Sequence, residues 1–75
     1  MNARIKRWTK ITGLTREDFT DMAQTARDLY RDGCGICSSG FAVGEWFAEH
    51  LPVDASDRRI RAWGDFLLDL AETQA

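Results

Sequence analysis

The stretch CGICSSGFAVGEWFAEHLPVD, Cys34 to Asp54, holds both cysteines, the only histidine, the only proline and one of the three tryptophans. Its reading decides the fold. With the cysteines as bystanders, the segment is a glycine-rich turn followed by a helix, and the protein is a plain helical bundle. With Cys34 and Cys37 as ligands, a metal staples the chain.

The helical reading rests on Phe41, Val43, Trp46, Phe47 and Leu51, whose spacing predicts a helix over residues 41–51, stopped by Pro52. Gly44 sits inside it at a cost of ~1 kcal/mol in helix propensity relative to alanine. The expected compensation is a neighbouring helix or a tryptophan ring lying close over the missing side chain.

Outward from this stretch the pattern becomes clearer. Thr15 is a good N-cap, and Glu17 and Asp18 follow in the first turn, where the helix dipole favours negative charge. Phe19, Met22, Ala23, Ala26, Leu29 and Tyr30 then keep the i, i+3, i+4, i+7 spacing of an amphipathic helix over residues 15–32. Gly33 is the expected residue just past its end. On the far side, Ser56 or Asp54 caps a helix over residues 57–72. Its stripe is Ile60, Trp63, Leu67, Leu70 and Ala71, broadened by Phe66 and Leu68. So wide a stripe implies contact with more than one element, or a patch left for another molecule. Gly64, beside Trp63, repeats the glycine-in-helix anomaly. Residues 1–14 place Ile5, Trp8 and Ile11 among bases, either as a short helix or as a basic arm, and Gly13 ends the segment. The expected fold is therefore all-α, one domain spanning residues 1–75, with three helices and a short fourth in front.

The net charge of −2 conceals an asymmetry. Arg4, Lys6, Arg7, Lys10 and Arg16 precede every acid, whereas only five bases face the 12 acids that follow. A basic start ahead of an acidic body bears on partner choice rather than on fold. No apolar run is long enough to span a bilayer, and the basic start is not followed by a secretory apolar segment. The expectation is a cytoplasmic protein with no membrane partner, where paired cysteines are thiols or metal ligands more often than a bridge.

Cys34-x2-Cys37, twelve further residues, His50, three more and Asp54 resemble the two-Cys two-His zinc finger. The resemblance covers 21 residues and implies a tetrahedral zinc held by Cys34, Cys37, His50 and Asp54, with Phe41 and Phe47 filling a small core beneath it. It implies a module that binds protein or nucleic acid. The chain departs from the family pattern in four places: Asp54 stands where the family has histidine, Pro52 falls between the last two ligands, no aromatic stands two residues before Cys34, and a helix rather than a strand precedes it. A homodimer sharing one zinc between two CxxC loops is a further arrangement. The simpler reading, preferred on these departures, has both cysteines as small hydrophobes in a turn and no cofactor.

No serine–histidine–acid set, phosphate-cradling loop or carboxylate pair suited to acid–base work is present, and 75 residues leave little room to enclose a substrate. The expected function is non-catalytic. It is a protein-binding module, an inhibitor, adaptor or regulator of the kind that phage accessory proteins exemplify in size and charge. The surface expected to dock is acidic and aromatic: Asp21, Asp28 and Asp32 on the outer face of the second helix, with Trp46 and Trp63 as anchors. Nucleic acid enters as a partner only through the basic start, with Trp8 offering a stacking face.

Overall fold

The computed structural model describes residues 3–31 and 40–73, and within them the chain forms four α-helices and no strand. They are α1 (Ala3–Thr12), α2 (Arg16–Arg31), α3 (Gly40–Trp46) and α4 (Asp57–Thr73), with a 3-10 turn at Ala48–His50. The fold is all-α, as the periodicity predicts. Asp32, Cys34 and Cys37 lie outside the described residues.

Of the two possibilities for the N-terminal segment, the chain adopts the helix. Ile5 and Trp8 of α1 are buried, so this is not a solvated arm. Gly13 ends α1 with φ +76° and donates its N–H to the Thr9 carbonyl at 2.8 Å. That is the left-handed helix stop in which glycine escapes the Cβ penalty. The Thr12 hydroxyl donates to the Trp8 carbonyl at 2.7 Å and accepts from Leu14 N–H at 3.2 Å, tightening the turn into α2.

Thr15 and Asp18 start α2 as a reciprocal cap. Asp18 N–H donates to Thr15 Oγ1 at 3.3 Å, and Thr15 N–H donates to Asp18 Oδ2 at 3.0 Å. Two backbone donors that the helix leaves orphaned are thereby satisfied. One face of α2 buries Phe19, Ala23 and Ala26, the small alanines letting its backbone lie close to α4.

α4 is the element on which the others pack. Ser56 caps it, accepting the Arg59 N–H at 3.2 Å. Its wide stripe has a structural use: Trp63, Phe66, Leu67, Leu70 and Ala71 are all buried, under α1, α2 and α3 together. The centre is aromatic. Trp8 of α1 meets Trp63 at 5.1 Å and Phe66 at 5.8 Å between ring centroids, while Phe19 of α2 meets the same two rings edge-on at 5.6 and 5.2 Å. Such pairs add about 0.5–1.5 kcal/mol each beyond the area they bury.

The glycine anomalies resolve at the α3–α4 crossing. A Cβ on Gly64 would fall on the carbonyl oxygen of Gly40 and within 2.6 Å of Gly44 N. A Cβ on Gly44 would fall on the Ile60 carbonyl oxygen and within 2.8 Å of its carbon. The compensation for Gly44 is thus the neighbouring helix, backbone against backbone, and not a tryptophan ring.

The helix expected over residues 41–51 is shorter than its apolar pattern. α3 stops at Trp46, Phe47 adopts φ −112° and ψ 20°, and the 3-10 turn follows. A tertiary bond accounts for the break. The Phe47 carbonyl accepts the indole N–H of Trp63 at 3.0 Å as well as the His50 N–H at 3.3 Å. Leu51 is then extended, at φ −96° and ψ 159°, as the residue before a proline prefers.

Candidate docking surface

α3 has only two turns. Its inner side is fixed by Val43 and Gly44 against α4, which leaves the side chains at its C-terminal end to project outward. Trp46 is 36% exposed and is flanked by the exposed acids Glu45 and Glu49. His50 Nε2 lies 3.6 Å from Glu49 Oε1, a long approach between a half-buried ring and an exposed carboxylate. The C-terminal end of α3 and the turn after it thus carry a partly exposed tryptophan and two exposed carboxylates.

The acids of α2 divide. Asp21 is exposed, whereas Asp28 is partly covered and accepts a hydrogen bond from Gln24 Nε2 at 3.1 Å. Asp32 lies outside the described residues. Asp18, at the start of α2, has its carboxyl held below the ordinary 3.8 by the Thr15 backbone N–H and then by the Thr15 hydroxyl, with a smaller contribution from the charge of His50.

Two aromatic expectations are corrected by burial. Trp63 is 0% exposed and sits between Trp8, Phe19 and Phe66, so it is a core residue and not an interface anchor. Trp8 is 5% exposed, its faces taken by Trp63 and Phe66, and it offers no stacking face for a base. Sequence spacing cannot separate a core tryptophan from a docking one, because both fall on the apolar stripe.

Sequence reasoning also missed two features. Val53 is fully exposed on the turn after Pro52, and the only available signal was its place in a Pro-x-Asp turn. More consequentially, Arg59 of α4 shares a cleft with Arg4 and Arg7 of α1, although over fifty residues separate them in the chain.

Of the four residues that resemble zinc ligands, Cys34 and Cys37 lie outside the described residues. His50 closes the 3-10 turn, and Asp54 belongs to the turn leading into α4. Among the described residues, no three of His, Cys, Asp and Glu are grouped as a metal would require, and no helix is long and apolar enough to cross a membrane. No known family matches the chain, and neither characterised proteins nor solved structures show a significant similarity to it.

Proposed function

We propose that the protein is a small non-catalytic protein-binding module, an inhibitor, adaptor or regulator acting in the cytoplasm by occupying a partner's surface. A phage-type accessory protein fits its size and charge. The observation that carries this reading is Trp46, 36% exposed and lying in the chain between the exposed acids Glu45 and Glu49, while the other two tryptophans are buried. A tryptophan offers up to about 250 Å² and apolar burial contributes about 25 cal/mol per Å². Covering the 36% that Trp46 exposes is therefore worth about 2 kcal/mol to a complex. Central indoles commonly dominate binding energy, and the surrounding carboxylates select a partner with a basic face. Asp21 extends the acidic surface along α2.

The test is capture of the partner from the source cell's lysate, followed by titration of the captured protein against variants. Trp46→Ala is expected to weaken binding about 30-fold, the equivalent of ~2 kcal/mol, with the helical signal unchanged. Glu45→Lys and Glu49→Lys are expected to slow association and to reduce its dependence on salt. A partner that binds all three variants as tightly as the parent would refute the proposal.

A further inference from the structure

A cleft of about 290 Å³ opens between α1 and α4, lined by Arg4, Arg7, Trp8, Arg59, Ala62 and Asp65. We infer that this cleft is a phosphate site whose occupant is the backbone of a nucleic acid, a binding surface separate from the Trp46 patch.

The residues form a graded arrangement. Arg4 forms one wall: its guanidinium bonds Asp69 Oδ2 at 2.9 Å and lies 5.6 Å from the centroid of the Phe66 ring. Arg7 is one helical turn on and exposed, and Arg59 reaches the same space from α4. Planar guanidinium groups in a shared concavity suit phosphate oxygens, which they can bond in pairs. Trp8 and Ala62 supply an apolar floor, which lowers the local dielectric and strengthens the attraction.

Two carboxylates oppose it. Asp69 is committed to Arg4, and the Oδ1 of Asp65 occupies the position a Cβ on Gly40 would take, at the first residue of α3. Three guanidinium groups against these two acids leave the cleft positive.

The choice of nucleic acid over a free anion comes from the surroundings. Lys10, one turn beyond Arg7 in the row that starts at Arg4, and Arg58, next to Arg59 on α4, are exposed and carry positive charge beyond the reach of one phosphate. A chain of phosphates is the anion that uses such a strip. With Trp8 buried, contact is to the backbone, and little sequence preference is expected.

The experiment is fluorescence anisotropy with a labelled 20-nucleotide single strand of mixed sequence across a salt series, using the full chain. The expected result is binding that falls with salt. Arg7→Gln with Arg59→Gln should weaken it at least 10-fold and flatten the log–log salt slope by about 1.4, the share of two phosphate contacts on a single strand. Arg27→Gln, on α2 and outside the cleft, should leave binding unchanged, and circular dichroism should show equal helicity in all three proteins. Strand binding that the double variant leaves intact overturns the inference. So does binding of inorganic phosphate or of anionic phosphatidylglycerol vesicles without any binding of the strand.

Discussion

Gly64→Ala gives the sharpest test of how this bundle is held. On an isolated helix the change would stabilise by about 1 kcal/mol, because alanine has the better helix propensity. Here the new methyl group meets main-chain atoms, the Gly40 carbonyl and Gly44 N at 2.6 Å, none of which can rotate aside. Overfilling a packed interior costs about 1–3 kcal/mol when side chains can adjust, and backbone neighbours put this site at the upper end. The net expectation is destabilisation by about 2 kcal/mol. A domain of 75 residues has a total margin of roughly 4–11 kcal/mol, so the loss is large but leaves a folded protein. With a urea slope of about 1 kcal/mol per molar, the unfolding midpoint should fall by ~2 M. The assay is a urea titration followed by tryptophan fluorescence and far-ultraviolet circular dichroism. Ala62→Gly, on the exposed side of the same helix, is the comparator and should lose only about 1 kcal/mol. A Gly64→Ala midpoint equal to or above the parent's would refute the backbone-to-backbone crossing.

Other changes probe separate parts of the same structure. Gly13→Ala places a side chain at φ +76° with no atom within 4 Å to clash. It should cost about 1–2 kcal/mol from conformation alone, measured by the same titration. Trp63→Phe removes the indole donor to the Phe47 carbonyl and part of the core volume. It should destabilise by about 2 kcal/mol and raise amide exchange over residues 47–51, whereas unchanged exchange there would show that the bond does not set the α3 break. Asp18 has its carboxyl pKa lowered by Thr15, so its contribution is present above 3.8 and is lost as pH falls through the lower folded value. A carboxyl-detected nuclear magnetic resonance titration should place the Asp18 midpoint below 3.8, and Thr15→Ala should return it upward while removing about 1 kcal/mol of cap stability at neutral pH.

Much of the architecture was legible because it is written locally. Thr15, Ser56 and Gly13 mark helix ends through bonds made within four residues of themselves. The stripes of α2 and α4 repeat at the helical period, and Gly44 and Gly64 announce a close neighbour by the stability they forgo. What sequence could not supply depends on long-range contacts. The stop at Phe47 comes from an indole 16 residues away. Periodicity placed Trp63 and Trp46 alike on apolar faces, and only packing shows one at 0% and the other at 36% exposure. The approach of Arg59 to Arg4 and Arg7 depends on the α1–α4 packing, to which charge patterning along the chain is blind.

The most direct measurement is the helical signal and urea midpoint of the freshly purified protein, recorded with and without a strong zinc chelator. If Trp8, Phe19, Trp63 and Phe66 and the α3–α4 glycine contact hold the fold by packing alone, both quantities stay the same. A chelator-induced loss of helicity, restored by adding zinc and abolished by Cys37→Ser, would contradict that and make a metal the organising element.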